Sequence, residues 1–311
     1  MDTGSAELLD AEVRIAAFDW LRQKVDELGD VLPRALLLQG FEFRGTRVPL
    51  VGPPGIFKPQ ILLAIPLSIT SAPSGPYDDE FGVDGLLAYR YRGEDPNHRD
   101  NIGLREAMRR QTPLIYFHGI VPGRYLVTWP VFVVADDPRA LTFSVAVDEA
   151  RRADRAAVDA YERPGASLED AAPRRIYITA EVRQRLHQRE FRERVLQAYR
   201  DSCALCRLRH RELLEAAHII PDSEPGGEPV VRNGIALCAL HHAAFDRFLI
   251  GIAPDYSVAV RTAILEESDG PMLEHGLQGL HGGRIAVPHD LNLRPDPVLL
   301  AWRWERFKAV A

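Results

Sequence analysis

Residues 203–246 read CALCRLRHRELLEAAHIIPDSEPGGEPVVRNGIALCALHHAAFD and hold all three cysteines of the chain. Cys203 and Cys206 form a Cys-x-x-Cys pair, and about thirty residues later Cys238 is followed at the third position by His241. Two such pairs at this separation are typical of a zinc ion held in a tetrahedron by three thiolates and one imidazole. A structural zinc needs no fifth ligand, so the other polar residues of the stretch are candidates for chemistry.

The pattern around these ligands predicts a strand, a loop, a second strand and a helix. The four segments are LLEAAHII (213–220), DSEPGGEP (222–229), VRNGIALC (231–238) and LHHAAFDRFL (240–249). In such a helix His242 and Asp246 are four residues apart, so they share a face and can hold one cation. His218, at the end of the first strand, is placed to face that cation. Asn233 precedes Gly234, where an amide is suited to hydrogen-bond the backbone of the connecting loop.

These residues resemble the HNH, or ββα-metal, nuclease family over about 45 residues. The namesake positions are the His of AAHI (His218), the Asn of RNG (Asn233) and the second His of LHHAAFD (His242). The flanking Cys and His pairs match the zinc-stabilised branch. The resemblance implies that His218 is the general base that activates water, that Asn233 is a structural residue, and that His242 binds a divalent metal such as Mg²⁺, Mn²⁺ or Ni²⁺. Asp246 falls where many relatives place another metal ligand.

One position departs from the family pattern. Relatives commonly have a metal-binding Asp or His immediately before the general base, and this chain has Ala217 there. The metal shell would then be completed by water, by phosphate or by Glu215.

Other interpretations of the same residues stay open from the sequence. The Cys₃His cluster also suits a zinc ribbon that only binds nucleic acid. His218 alone would suit a structural histidine, and Asp246 an ordinary charge on a helix.

Composition limits the remaining choices. At 311 residues and 46% hydrophobic, the chain is long enough for about two domains. A net charge of -6 means that binding to nucleic acid would require a local basic surface. The N-terminus lacks the features of a signal peptide, no apolar run is long enough to span a bilayer, and Cys-x-x-Cys favours a reducing compartment. We therefore expect a cytoplasmic protein with no membrane association.

Outside the cysteine-rich stretch, the sequence predicts an α+β protein. Apolar residues at helical spacing indicate a helix over residues 5–30, ended by Gly29, and NIGLREAMRR indicates a short helix over 101–110. Between residues 36 and 147, short β-rich runs separated by Gly and Pro turns predict a curved sheet or small barrel. The runs are LLLQGFEF (36–43), ILLAIPLSIT (61–70), GLLAYRYRG (85–93), LIYFHGI (114–120), RYLVTWPVFVV (124–134) and LTFSVAV (141–147).

The boundary between the domains is expected after this β-rich part. Residues 148–174 are rich in Ala and charge and contain Pro164-Gly165, which is typical of a linker. A helix is then predicted to begin near Thr179, with the threonine as its N-cap. The predicted division is 1–165 for a DNA-recognition domain, 166–178 for the end of the linker and 179–311 for the nuclease domain.

The β-rich part is similar, over residues 75–97 and 114–134, to SRA and PUA-like domains, which read modified cytosine. Such domains flip the base into a pocket with aromatic faces and a carboxylate. The resemblance implies a pocket built from Tyr77, Asp78, Asp84, Tyr89 and Tyr91, whereas core packing of the aromatic residues is the ordinary alternative.

Together these features predict a restriction endonuclease that acts on double-stranded DNA and depends on 5-methylcytosine or 5-hydroxymethylcytosine. One ββα site cuts one strand, so double-strand cleavage implies a homodimer or sequential nicking. Two alternatives remain: an HNH nuclease specific for an unmodified sequence, and a catalytically inactive, zinc-stabilised protein that binds nucleic acid.

Overall fold

A helix that runs from Leu168 to Ala198 contains the point at which the chain divides into two units. In the computed structural model, which describes residues 3–72, 80–81, 86–149, 152–162 and 168–310, the units are Met1–Leu186 and His187–Ala311. The division therefore falls after residue 186, whereas the sequence placed it within residues 166–178. The composition marked residues 148–174 as linker, but Ala153–Glu162 form a helix and the residues from Leu168 onward belong to the long helix.

The first unit is an α+β domain with a sheet curled into a half-barrel. Its helices are α1 (Thr3–Leu28), α2 (Arg34–Gln39), α3 (Arg99–Arg110) and α4 (Ala153–Glu162), and the long helix α5 (Leu168–Ala198) begins in this unit and ends in the second. Its strands are β1 (Val31–Pro33), β2 (Phe41–Phe43), β3 (Thr46–Val48), β4 (Ile56–Phe57), β5 (Ser68–Thr70), β6 (Glu80–Phe81), β7 (Leu87–Arg90), β8 (Leu114–Val121), β9 (Arg124–Asp137) and β10 (Thr142–Val147).

Strands β8 and β9 lie at the centre of the sheet. Across the described residues the strand order is β4-β5-β8-β9-β10-β7-β6, with β1 also paired to β9, and only β5 and β8 run parallel. Successive side chains of β8 point to opposite faces. Ile115 and Phe117 pack with Phe18 of α1, whereas Leu114 and Tyr116 pack with Leu104 of α3. Both faces are thus covered, which explains why the central strands are almost continuously apolar.

Two of the helical predictions for this unit are confirmed. Helix α1 ends at Leu28, and Gly29 follows it with a φ of +81° while its amide donates to the carbonyl of Val25 at 2.8 Å. The short helix predicted over 101–110 is α3.

Three local predictions are wrong. Residues 36–39 belong to α2 rather than to a strand, and in 61–70 only Ser68–Thr70 is a strand. Thr179 lies inside α5 and is not an N-cap. Its hydroxyl donates to the Arg175 carbonyl at 2.6 Å and accepts from the Val147 amide at 2.8 Å. The side chain therefore bonds the end of β10 instead of capping a helix.

The second unit contains the predicted ββα order. Its elements are β11 (Leu214–His218), β12 (Gly234–Cys238), α6 (Ala239–Asp246), β13 (Ile250–Ile252), β14 (Val258–Val260), α7 (Thr262–Leu265), α8 (Pro271–Gly276) and α9 (Pro297–Lys308). Strands β11 and β12 are antiparallel, with His218 opposite Gly234. Glycine is required there, because a Cβ at residue 234 would lie 2.4 Å from Val195 and 2.9 Å from Phe191. Helix α5 therefore packs directly against the start of β12.

None of the helices in the described ranges is both long enough and apolar enough to cross a membrane.

The turn after α2 provides a test of the first unit. Gly40 has a φ of +61°, and a Cβ there would lie 2.0 Å from the carbonyl oxygen of Val48, whereas Gly45 has a φ of +75° and open space around it. We expect Gly45→Ala to cost about 1 kcal/mol for the left-handed backbone alone. Gly40→Ala should cost at least about 2 kcal/mol more, because β3 must move.

Hydrogen exchange of the β9 amides measures the opening free energy of this unit. An equal loss of opening free energy in Gly40→Ala and Gly45→Ala would contradict the close contact between residue 40 and β3.

Candidate active site and zinc cluster

The three cysteines and His241 come together as the sequence predicted. Their ligand atoms all lie within 4.8 Å of one another, and no other group of three or more His, Cys, Asp or Glu ligand atoms converges in this way within the part of the chain that the structure describes. The His241 Nδ1 lies 3.4 Å from the Cys203 Sγ and 3.2 Å from the Cys238 Sγ. Three thiols and one imidazole nitrogen match the donor set that zinc prefers, so the cluster fits a zinc ion.

Two short pieces of backbone position these ligands. Cys203 and Cys206 lie on a turn in which the Cys203 amide donates to the Leu208 carbonyl and the Arg207 amide to the Cys203 carbonyl. Cys238 ends β12 and is the residue before α6, so His241 lies in the first turn of that helix. The second pair of ligands therefore marks the junction between strand and helix.

Hydrogen bonds prepare the cluster for a metal. The Nε2 of His241 lies 2.8 Å from the carbonyl oxygen of Gly276, which can only accept, so Nε2 carries a proton, and Nδ1 is the nitrogen that faces the thiols and is left to bind a metal. Burial opposes ionisation of Cys203, but the bond from His241 and bonds from the backbone at residues 206, 238 and 205 outweigh it and lower the pKa of that thiol to about 6. A thiolate, the form that binds zinc, is thus favoured at the buried end of the cluster.

His218 ends β11 and is half-buried beneath an aromatic ring. Its imidazole stacks on Phe191 of α5 with ring centroids 3.9 Å apart and an angle of 18° between the planes. Burial lowers the pKa of His218, with Asp222 opposing and His242 reinforcing the shift. Its Nε2 is buried and has no hydrogen-bond partner among the described residues. Because its pKa is lowered, the ring is neutral near pH 7, and a neutral imidazole suits a group that accepts a proton.

Asn233 is fully buried and fastens the loop between the two strands. Its Oδ1 accepts from the Ile220 amide at 2.9 Å, and its Nδ2 donates to the Ile220 and Glu228 carbonyls at 3.0 and 3.1 Å. The Ile219 amide also donates to the Asn233 carbonyl. These contacts hold the residues that directly follow His218.

The ring of His242 lies between two carboxylates. Its Nδ1 contacts Glu215 of β11, and its Nε2 lies 3.2 Å from an oxygen of Asp246, one turn further along α6. The bond to Asp246 raises the pKa of His242, and that to Glu215 adds to it against the effect of burial. Burial alone would raise the pKa of Asp246, but His242 and Arg303 more than offset it, so that pKa is lowered.

An imidazole nitrogen with a carboxylate oxygen beside it is a pair of donors that a divalent cation can use. The fit is closest at Nε2 of His242, where the Asp246 oxygen already lies 3.2 Å away. Glu215 approaches the other nitrogen of the ring, so the two carboxylates do not converge on one point.

Ala217, the departure from the family pattern, is completely buried and packs in the core of this unit. A charged ligand at that position would need to be desolvated among apolar side chains. The neighbouring Glu215, half-exposed and in contact with His242, is the carboxylate that β11 offers instead.

Of the residues predicted for a base pocket, Tyr77, Asp78 and Asp84 lie outside the described residues. Tyr89 and Tyr91 are 5% and 4% exposed and belong to the core between the sheet and α3. The Tyr91 ring stacks on Phe143 with centroids 4.6 Å apart, and its hydroxyl contacts Asp136. In this conformation both rings are used for packing, so a role in base reading stays a prediction that requires them to become accessible.

Two contacts of the site were missed from the sequence, namely Phe191 against His218 and Arg303 against Asp246. Neither carries a local signal. Phe191 looks like any apolar residue of a helix, and Arg303 like any charge in the C-terminal helix.

Removal of one zinc ligand tests the cluster. Cys206→Ala should reduce the zinc content to near zero and the unfolding free energy of the second unit by more than about 3 kcal/mol, because zinc binding contributes about 10–16 kcal/mol in small zinc modules. Elemental analysis and thermal unfolding measure the two effects. His210→Ala, an exposed histidine between the ligand pairs, is the control and should retain both. A Cys206→Ala protein with full zinc content would contradict the assignment.

The HNH endonuclease family model matches residues 203–253, a segment that contains the cysteine cluster and the residues around His242. None of the curated proteins compared with the chain matches it. Among solved structures, a modification-dependent TagI restriction endonuclease has 16% identity and a TM-score of 0.30, covering 92% of this chain and 90% of that one. The type IV phosphorothioation-dependent restriction endonuclease ScoMcrA has 17% identity and a TM-score of 0.19, covering 79% of this chain and 50% of that one. The family match therefore identifies residues 203–253 as an HNH endonuclease domain.

Proposed function

We propose that this protein is a cytoplasmic restriction endonuclease that hydrolyses double-stranded DNA and depends on modified cytosine, either 5-methyl or 5-hydroxymethyl. The observation that carries the nuclease part is the pairing of a neutral, half-buried His218 with a separate His242 flanked by carboxylates, inside an HNH domain. A Cys₃His cluster that only stabilises a binding module would not require this second group of polar residues.

In this proposal His218 is the general base. Its neutral imidazole takes the proton of the attacking water, and the stack on Phe191 restricts rotation of the ring. Asn233 keeps the end of β11 in place through its bonds to Ile220. His242 and Asp246 would hold the divalent cation, Mg²⁺, Mn²⁺ or Ni²⁺, with Glu215 next to the same ring. When bound, such a cation stabilises the charge that develops on the scissile phosphate and the leaving oxygen.

The substrate part of the proposal rests on the first unit. Its half-barrel sheet is compatible with the resemblance of residues 75–97 and 114–134 to modified-base readers, and a ββα domain has little sequence discrimination of its own. Because one site cuts one strand, we propose that cleavage of both strands uses a homodimer. Zinc in the Cys₃His cluster would be structural and would not take part in the hydrolysis.

Replacement of the general base should abolish most of the activity. We expect His218→Ala to lower the single-turnover cleavage rate by about 10²–10⁴-fold, the usual contribution of general-base catalysis, while His187→Ala, an exposed histidine of α5, leaves it unchanged. A variant His218→Ala with full activity would remove this residue from the mechanism.

The pH dependence of the same rate tests the environment of His218. The base must be deprotonated, so the rate should rise with pH and reach a plateau above the pKa of His218. Because burial lowers that pKa, the midpoint should lie below the ordinary value of about 6.5. A midpoint above 6.5 would contradict the proposed neutral state of the ring.

The substrate is tested with matched duplexes that carry cytosine, 5-methylcytosine or 5-hydroxymethylcytosine, in the presence of Mg²⁺, Mn²⁺ or Ni²⁺. We expect cleavage of one or both modified duplexes and none of the unmodified one, with His218→Ala inactive on all three. Equal cleavage of the three duplexes would favour a nuclease that reads an unmodified sequence. Binding without cleavage of any duplex would favour the inactive zinc-stabilised module.

A further inference from the structure

Arg303 lies on α9, about fifty residues beyond the end of the HNH family match, and is only 5% exposed. Helix α9 begins after Asp296, whose side chain accepts from the Val298 amide at 2.9 Å, and it packs on the second unit through Leu300 and Phe307. Phe307 covers Gly251 so closely that a Cβ there would lie 2.5 Å from its ring. The helix therefore holds the Arg303 side chain in a defined place inside the domain.

The guanidinium of Arg303 joins the two elements that carry the proposed catalytic groups. Its Nη1 donates to the Ile219 carbonyl at 3.1 Å, directly after His218. Its Nη2 donates to the Phe245 carbonyl at 2.8 Å and to the Asp246 Oδ1 at 3.3 Å. The guanidinium also lies 3.9 Å from the centre of the Phe245 ring. A single planar group thus connects the end of β11 to the end of α6.

These contacts divide the two oxygens of Asp246 between two partners. Oδ1 faces Arg303, and Oδ2 lies 3.2 Å from the Nε2 of His242. The Asp246 side chain is 52% exposed, so few other contacts restrict its rotation. By holding one oxygen, the guanidinium turns the other towards the imidazole. A carboxylate orientated in this way is ready to share a cation with Nε2 of His242.

Stability alone does not account for this arginine. Its side chain is buried, and its Nε has no hydrogen-bond partner in the described part of the chain. Replacing a buried charge by an apolar side chain of similar volume is often neutral or stabilising. Its contact with Asp246 gives the buried guanidinium a role that stability does not require.

We propose that Arg303 is a positioning residue of the divalent-cation site, which fixes the carboxylate of Asp246 and ties the strand of His218 to the helix of His242. This inference rests on the proposed function, in which His242 and Asp246 hold the cation. A lysine at position 303 would keep the charge but not the planar set of donors that reaches all three acceptors.

The test is a Mn²⁺ titration of the full-length, zinc-loaded protein, with free Mn²⁺ followed by its electron paramagnetic resonance signal. The variants are Arg303→Met, Arg303→Lys, His242→Ala and the control Arg192→Met. Arg192 is a matched choice because its guanidinium also donates to two carbonyls, those of Arg211 and Leu214, at the opposite end of β11 and without contact to α6. Zinc content and circular dichroism check that each variant is folded.

We expect Arg303→Met to weaken Mn²⁺ binding by about 10-fold or more, the usual effect of removing a group that orients a metal ligand. Arg303→Lys should fall between Arg303→Met and the unaltered protein, Arg192→Met should bind Mn²⁺ as the unaltered protein does, and His242→Ala should lose the site. Both variants remove a guanidinium that supports β11, so weaker Mn²⁺ binding in Arg303→Met alone would exclude loss of support for that strand as the cause.

Equal or tighter Mn²⁺ binding by folded Arg303→Met would overturn the proposal, because the Arg303 guanidinium would then contribute nothing to the site except repulsion of the metal. If Arg303→Met does not fold, an unchanged Mn²⁺ affinity of Arg303→Lys would overturn the proposal in its place. Retained affinity in His242→Ala overturns the cation site and this proposal together, whereas loss in His242→Ala with retention in Arg303→Met overturns only the role of Arg303.

Discussion

The junction between β12 and α6 is the constraint on which the second unit depends. Cys238 ends the strand, and His241 lies in the first turn of the helix, so both ligands of the second pair are placed by one change of direction in the backbone. The helix then turns the adjacent His242 by about 100°, because there are 3.6 residues per turn. His241 is 2% exposed and faces the thiols, while His242 faces Glu215 and Asp246. Neighbouring histidines thereby face two different groups of polar side chains.

The three histidines His218, His241 and His242 differ in their surroundings, and these surroundings determine their protonation. His241 is held by a carbonyl on one nitrogen and thiols on the other, which favours a ligand with a fixed tautomer. His242 lies between carboxylates that raise its pKa, whereas burial under Phe191 lowers the pKa of His218. Opposite pKa shifts in two imidazoles of one site agree with the distinct roles that we propose for them, with His218 as the proton acceptor and His242 as a ligand of the cation.

Much of the second unit could be predicted because its information is local. The Cys and His spacing, the Gly after Asn233 and the helical spacing of His242 and Asp246 each act over a few residues, and the structure has the ββα order that they predict. Contacts between distant parts of the chain could not be predicted. Arg303 meets Asp246 across 57 residues, and nothing in its own helix distinguishes it from an exposed charge.

The same reason explains the errors in the first unit. Propensity made residues 36–39 look like a strand, but the chain forms a short helix that Gly40 ends by adopting a positive φ. Low apolar content made residues 148–174 look like linker, yet residues 153–162 and 168–174 are helical, and Arg174 reaches Asp148 beside β10.

The pocket predicted from Tyr89 and Tyr91 is not among these errors. Both rings pack against Phe143 and α3 in this conformation, and their role in base reading stays a prediction.

The central claim is that two metal sites with separate ligands lie side by side in this domain. It is tested most directly by a crystal structure of the protein with Mn²⁺, with anomalous diffraction recorded at the zinc and manganese absorption edges. The account predicts a zinc peak among Cys203, Cys206, Cys238 and His241, and a separate manganese peak next to His242 and Asp246. A single metal that binds both His241 and His242, or manganese bound away from His242, would contradict it.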